Sequence, residues 1–445
     1  MRKEDAEMNG FSISAVHARQ IYDSRANPTV EVEITLENGC TGLGMVPSGA
    51  STGQFEALEL RDHDAHFGGK GVSTAIRNVN EVIGPALVGM DVRDQRSIDG
   101  KMIALDGTEN KSRLGANAIL GCSLAAAYAA AAASGVPLYR YLGGAIASTI
   151  PVPMVQIIGG GAHANFAIDI QDFLVIPLKS ESFAAGYAMV AEVYHAAKKL
   201  FDEKKLPLSV ADEGGLWPTG FSTNEEGLEL LTGSIRRAGY MPGTDLGIAL
   251  DIAASEFYDE KTGMYTLKLE KRQLTREGFV QMLCDWVERY PIVSIEDGVS
   301  EQDWEGMRML TERLGQRIQL IGDDLFTTNL QRIKKGIEMK AGNAVLIKLN
   351  QIGTLTETLD AIEYTQHHGY LPVISARSGE TEDATIVHLA IATNAGQLKV
   401  GSCARSERTA KWNETIRIEE KLGTLARYPA QQIFREHLPQ FGPKA

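Results

Sequence analysis

Cysteine is scarce: Cys40, Cys122, Cys284 and Cys403 are the only four in 445 residues. They lie far apart with no CxxC pair, which argues against a disulfide framework or a zinc site and fits a reducing cytosol. Positive charge is also in deficit. The formal net charge of −13 argues against nonspecific attraction to nucleic acid or to an anionic membrane. The start, MRKEDAEMNG, has charges but no apolar stretch behind it. It does not read as a secretory signal, and residues 1–10 are expected to be a frayed tail. One run, AILGCSLAAAYAAAAASG from Ala118 to Gly135, approaches membrane-spanning length. Its alanines and interspersed small polar residues predict a packed helix instead. The chain shows no short-period repeat and no low-complexity linker. These absences leave a cytoplasmic protein with no nucleic-acid or membrane partner as the expectation.

What is present is core material. The chain is 44% hydrophobic and 23% charged, and its length calls for one large barrel or two domains. VEVEITLENGCTGLGMV alternates like paired antiparallel strands around a turn at Asn38-Gly39, with helical stretches after it. From about Pro151 short apolar runs recur, often separated by helical stretches: PMVQII, FLVIP, LSV, GIALDIAA, PIVSIED, IQLIGDD, AVLIKLN, LPVISARS and QLKVGSC. Such alternation over nearly 300 residues predicts a parallel α/β architecture, most simply a closed barrel, with a boundary near residue 145.

Charged residues stand where these runs end. LSV precedes Asp212 and Glu213; GIAL runs into Asp251; VSI into Glu296 and Asp297; LIG into Asp323 and Asp324. AVLI ends in Lys348, LPVIS runs on to Arg377 and Ser378, and QL runs into Lys399. A single acid at a strand end is ordinarily a cap or turn residue. Three acids on successive units, then two lysines and an arginine on the next three, are hard to explain by capping, and a barrel would gather them on one face. Asp251, Glu296 and Asp323 offer hard oxygen ligands suited to Mg²⁺. Lys348 and Lys399 would lie near that charge, which would help depress a lysine pKa, and a neutral lysine could remove a proton α to a carboxylate. Arg377 with Ser378 would hold a phosphate or phosphonate, leaving Glu213 as an acid for a departing group.

The chain resembles enolase over nearly its whole length. The segments that carry the resemblance are YDSRANPTVEVE, VPSGASTGQFEALELRD, LGANAILG, GGAHA, DEGG, ALDIAASEFY, SIEDG, GDDLFTTN, IKLNQIGTLTET, RSGETED and ARSERTAKWN, in that order. The resemblance implies an N-terminal α+β lid domain, placed at 11–145, on an atypical enolase-type β/α (TIM-like) barrel at 146–445, assembled as a homodimer or larger homo-oligomer. It implies two Mg²⁺ ions, the first held by Asp251, Glu296 and Asp323 and the second by Ser51 in the SGAST loop. Lys348 then resembles the base at C2, Lys399 the partner of the substrate carboxylate, and Glu213 the acid at C3. His163, Arg377 and Ser378 resemble phosphate-side contacts. The mandelate racemase branch of the wider superfamily is disfavoured, because no KxK motif stands on an early strand.

The chain also departs from the family. Ala376 stands where enolases carry histidine before RSGETED, and Asp172 where they carry the glutamate of QEF. Gly159 replaces the asparagine before GG, Asn165-Phe166-Ala167 follow HA, and Ala26 replaces a glycine. Metal ligands and lysines are all kept. Shortening a glutamate withdraws its carboxylate by about a bond length; a shift near 1 Å can cost roughly a hundredfold in rate, about 2.7 kcal/mol of barrier. The favoured reading is therefore an active carbon–oxygen lyase (hydro-lyase) with an orthodox proton-abstraction half and a reshaped leaving-group side. Its substrate would be a modified phospho- or phosphono-glycerate, as in the carboxyphosphonoenolpyruvate synthases of phosphonate antibiotic biosynthesis. The alternative is an ordinary enolase making phosphoenolpyruvate from 2-phosphoglycerate. A third reading is a non-catalytic binding protein on the same fold.

Overall fold

The computed structural model describes residues 9–49 and 52–436; residues 1–8 of the expected tail lie outside that range. The alternation in VEVEITLENGCTGLGMV folds as an antiparallel meander of β1 (Ile13–Tyr22), β2 (Pro28–Leu36) and β3 (Thr41–Met45). The β2–β3 turn falls where expected: Gly39 has φ 82°, and Asn38 Oδ1 accepts a hydrogen bond from Cys40 N at 2.9 Å. The alanine-rich segment forms the helix Ala116–Ala133, packed on β2 and β3. By length and composition it could cross a membrane, yet 83% of it is buried inside the protein. Its small residues answer a steric demand. A Cβ on Gly42 would come within 2.2 Å of Ala125 O, and one on Gly44 within 2.3 Å of Gly121 O, so helix and sheet meet backbone to backbone.

The second half closes into an eight-stranded barrel. Its strands are β4 (Val152–Gly159), β5 (Asp172–Pro177), β6 (Leu246–Asp251), β10 (Ile292–Glu296), β11 (Gln319–Gly322), β12 (Ala344–Ile347), β13 (Leu371–Ser375) and β14 (Gln397–Ser402), adjacent in that order. Between β6 and β10 a small separate sheet intervenes: β7 (Tyr258–Asp259), β8 (Met264–Leu267) and β9 (Arg272–Leu274).

Two features differ from the simplest parallel expectation. First, β5 runs antiparallel to both β4 and β6. The β4–β5 connection contains only the 3₁₀ turn Gly161–Ala164, and a parallel crossover ordinarily needs a full helix. Second, the LSV run is not a barrel strand; Val210 makes only an isolated bridge to Leu216. The run lies between helices Phe183–Glu203 and Glu225–Arg237, and Leu216 N ties the segment that follows to Ile157 O of β4 at 2.8 Å. Glu213 therefore reaches the barrel from a loop and not from a strand end.

Apolar side chains fill the lower barrel: Val152, Met154, Leu174, Ile176, Ala249, Val293, Ile321, Ala344, Leu346 and Val373, with Ile433 and Phe434 of the last helix packed against them. Gln319 Nε2 crosses the interior to Ser294 Oγ at 3.2 Å and Gln397 Oε1 at 3.1 Å. At the opposite end the N-terminal half reaches over the barrel. Ser48 and Gly379 exchange backbone hydrogen bonds of 2.8 Å each, and Arg25 Nη2 donates to Ser48 O and Gly49 O at 3.1 Å.

Candidate active site

The two-residue period of the strands aims the polar groups. Two residues beyond the inward Ala249, Ile321, Leu346 and Gln397 come Asp251, Asp323, Lys348 and Lys399, all lining one cavity at the barrel mouth. Asp172 joins them because β5 is reversed. It is the first residue of its strand, yet it pairs with Asp251 at the end of β6 and Gly159 at the end of β4. Glu213 and His163 arrive on loops, and Ala376, Arg377 and Ser378 follow β13 directly.

Around the mouth the chemistry is sorted. Lys348, just past β12, and Asp172 on β5 stand four strands apart in either direction, on opposite walls. One arc between them, β6–β10–β11, carries Asp251, Glu296 and Asp323. The other arc, β13–β14, carries Arg377, Ser378 and Lys399. Beside Asp172, His163 Nε2 lies 3.8 Å from Glu213 Oε1. His163 Nδ1 and Gln171 Oε1 are buried with no hydrogen-bond partner in the protein, and both residues line the cavity.

Lys399 Nζ lies 2.8 Å from Asp251 Oδ2, 2.8 Å from both Glu296 oxygens and 3.5 Å from Asp172 Oδ2. Burial disfavours its charge, but these carboxylates outweigh burial and hold its pKa well above the ordinary lysine value. Lys348 Nζ donates to Asp323 Oδ2 at 2.5 Å. Burial is the largest single influence and lowers its pKa, but Asp323 together with Glu296 pulls the other way and the balance is upward. Within the protein's own charges the proton stays on Lys348; the depression expected from the sequence was one that a bound metal's charge would exert. On the opposite wall, burial pushes Asp172 up to about 6 against the pull of Lys399. Burial also works to raise Glu213, but His163, Arg408 and the two lysines hold it below the usual carboxylate value.

The residues expected to contact an anion are engaged internally. The Arg377 guanidinium meets both oxygens of Glu56 at 3.0 and 3.1 Å, and donates to Asn350 Oδ1 at 2.7 Å. Ser378 Oγ accepts from Arg25 Nη1 at 3.3 Å. Arg408 is fully buried and donates to the carbonyls of Arg377, Ser378 and Val400 at 2.6, 2.5 and 2.9 Å, fixing the turn that presents these groups.

The donor set fits a divalent cation. Seven carboxyl side chains line the cavity (Asp172, Glu213, Asp251, Glu256, Asp297, Asp323 and Asp324) against Lys348, Arg377 and Lys399. Burial, reinforced by this crowding, pushes Glu296 and Asp324 well above the carboxylate range and Asp297 up to about 8. A buried excess of hard anionic oxygens is the environment Mg²⁺ takes. Asp297, Asp323 and Asp324 each bring a ligand-capable atom within 4.8 Å of one another. In the expected triad, Asp251 and Glu296 share the Lys399 ammonium while Asp323 holds Lys348. Ser51, expected on a second ion, lies outside the described residues.

Of the departures from the family pattern, Asp172 and Ala376 line the cavity. Gly159 does not; a Cβ there would meet Ala211 Cβ at 2.8 Å. Supporting groups, of which sequence spacing marks only Asp297, orient the cavity's carboxylates. Gln351 Nε2 donates to Asp323 Oδ1 at 2.8 Å, Gln171 Nε2 to Asp251 Oδ2 at 3.2 Å, and Asp297 accepts from the backbone of Asp323 and Asp324. Glu56, Gln351 and Arg408 all sit inside the segments that carry the family resemblance, so the signal was present without a role attached.

The fold and site together define a β/α-barrel enzyme with a lysine and a carboxyl group on opposed walls and a buried carboxylate cluster between them. Comparison with known proteins agrees. Residues 13–142 match the family model "Enolase, N-terminal domain", and residues 147–437 match "Enolase, C-terminal TIM barrel domain". "Enolase 1" of Desulfitobacterium hafniense (strain Y51) is 69% identical over 427 residues, covering 96% of this chain and 98% of that protein. The chain belongs to the enolase family, and it is an enzyme of the hydro-lyase class.

Proposed function

We propose that this enzyme eliminates water from 2-phosphoglycerate to give phosphoenolpyruvate. The observation that carries the reading is the opposition of Lys348 and Asp172 across the mouth, with the carboxylate arc on one side and the cationic arc on the other. An α-proton and a β-hydroxyl leaving from opposite faces of a substrate need a base and an acid on facing walls. The 69% identity to a protein named Enolase 1 favours 2-phosphoglycerate over the larger phosphono substrate.

In this mechanism Asp251, Glu296 and Asp323 would hold one Mg²⁺, with Ser51 as the expected contributor to a second. Bound there, the metal would supply positive charge that stabilises an enediolate. The substrate carboxylate lies toward Lys399, and its phosphate toward Arg377, Ser378 and His163. Lys348 faces C2 and takes its proton on Nζ. The C3 hydroxyl departs as water with a proton from the Asp172–Glu213 pair. Sequence resemblance assigns that proton to Glu213. The opposite pKa displacements of the two groups favour Asp172 as its resting place, with Glu213 ionised beside His163. Purified protein, 2-phosphoglycerate and Mg²⁺, followed by the ultraviolet absorbance of the enol product, tests the reading. Rapid Mg²⁺-dependent turnover supports it, and a folded, Mg²⁺-binding protein without turnover overturns it.

One observation favours the second reading. Ala376 lines the cavity beside Lys399 and Arg377, where the family pattern places a histidine ring. The bare methyl makes room for an extra carboxylate on a phosphono substrate. The double variant Asp172→Glu, Ala376→His separates the two: unchanged substrate preference and turnover would sink the idea that these positions select the substrate.

A further inference from the structure

Gln156 is fully buried on β4, and both ends of its carboxamide are engaged. Nε2 donates to Asp172 Oδ1 at 2.5 Å, and Oε1 accepts from Gly215 N at 2.9 Å. The amide orientation is forced by its neighbours. A backbone N–H can only donate, so the oxygen must face Gly215 and the nitrogen must face the carboxylate. In the β4–β5 pairing Gln156 stands opposite Leu174, and Asp172 is its diagonal neighbour, within reach of a long side chain.

Two positions without a Cβ leave this long side chain its room, Gly215 most closely. On Gly159 a Cβ would lie 3.2 Å from both Gln156 amide atoms and 2.8 Å from Ala211 Cβ. On Gly215 it would lie 2.4 Å from Gln156 Oε1. Gly159, a departure that does not line the cavity, thus acquires a physical reason. With Oδ1 fixed by the amide, Asp172 Oδ2 is the oxygen turned toward Lys399, at 3.5 Å.

We infer that Gln156 is a positioning residue that holds the Asp172 carboxylate at the cavity, with Gly159 and Gly215 providing its clearance. A longer amide and a shorter carboxylate act as one matched unit. The inference rests on the proposed role of Asp172 at the departing hydroxyl. The test uses Gln156→Asn, Asp172→Glu and their combination in the full chain. Glutamine plus aspartate place three methylenes between the two backbones, and asparagine plus glutamate place the same three.

Gln156→Asn withdraws the donor by roughly 1.5 Å. It should lower kcat for 2-phosphoglycerate by about a hundredfold while KM stays within about threefold. Asp172→Glu alone drives a longer carboxylate into an amide already in hydrogen-bond contact and should also lose turnover. The double variant should recover at least about tenfold over either single change, a coupling that independent sites do not show. A kcat for Gln156→Asn within about twofold of the parent, or a double variant no better than the worse single one, overturns the inference. If Gln156→Asn does not fold, isosteric Gln156→Glu replaces the donor by an acceptor beside Asp172. The same loss is expected, and parental kcat overturns the proposal. A crystal structure of the folded variant needs no turnover and should show the Asp172 carboxylate displaced. A carboxylate left in place defeats the inference. An inactive parent enzyme whose variant shows the displacement defeats only the 2-phosphoglycerate reading.

Discussion

Replacing Lys399 by methionine keeps the aliphatic stem and removes one ammonium. Lys399 is only 5% exposed, and its Nζ is within 2.8 Å of Asp251 and Glu296 and 3.5 Å of Asp172. The variant leaves three buried carboxylates facing one another. Removing one partner of a buried ion pair costs about 3–5 kcal/mol. For a barrel of about 300 residues, an unfolding entropy of about 2.1 cal/mol/K per residue converts this to a Tm loss of about 5–8 °C. The loss should be largest near pH 8 without metal. It should shrink toward pH 5, because burial and the Asp251 charge lift Glu296 well above the carboxylate range and let it take up a proton. Mg²⁺ should restore much of the loss, since about a hundredfold excess over Kd contributes roughly 2.7 kcal/mol. Thermal melts of parent and variant, with chelator and with Mg²⁺, give the answer. A metal-free loss below about 1 °C at pH 8 would refute the claim that Lys399 neutralises this cluster.

Three further outcomes follow from the same geometry. Asp172 is raised to about 6 and Asp297 to about 8, so the folded, metal-free protein binds protons that the unfolded chain has released. Its stability should fall as pH rises from ~4 to ~8, and Mg²⁺ should flatten the slope; Asp251 and Glu213, both lowered, lose their contribution only below ~4. Gln351→Leu removes the 2.8 Å bond that orients Asp323 and should weaken Mg²⁺ binding by about 10–100-fold by calorimetry, leaving the fold intact. Arg408→Met deprives three buried carbonyls of their donor and should lower stability by about 3 kcal/mol or more in urea melts, with the larger kinetic effect on KM.

Sequence legibility followed the period of the strands. Asp251, Asp323 and Lys348 could be read as one ring because each stands at or just past the end of a parallel strand, and Lys399 joins them from within β14, two residues beyond the inward Gln397. Asp172 could not be read that way. It begins its strand, and only the reversal of β5, a tertiary fact, brings it to the same face; family resemblance had to supply it. LSV misled for a related reason: a short apolar run next to DEGG has a strand's composition, but it belongs to a loop tied to β4 through Leu216. Gln156 and Gly159 were opaque singly. Their meaning lies in a contact between a side chain and a missing Cβ, which no spacing rule records. Lys348 marks a further limit, because its salt bridge to Asp323 is a tertiary contact that sequence does not display.

The central claim is that proton abstraction and hydroxyl departure are carried by opposite walls, at Lys348 and at Asp172. The most direct measurement follows 2-phosphoglycerate in D₂O with Mg²⁺, recording C2 deuterium incorporation and product formation for Lys348→Ala and Asp172→Asn. Lys348→Ala should lose both processes by about 10²–10⁴-fold, while Asp172→Asn should lose product formation and keep C2 exchange. Exchange that survives without Lys348, or that disappears with Asp172→Asn in a folded protein, would contradict it.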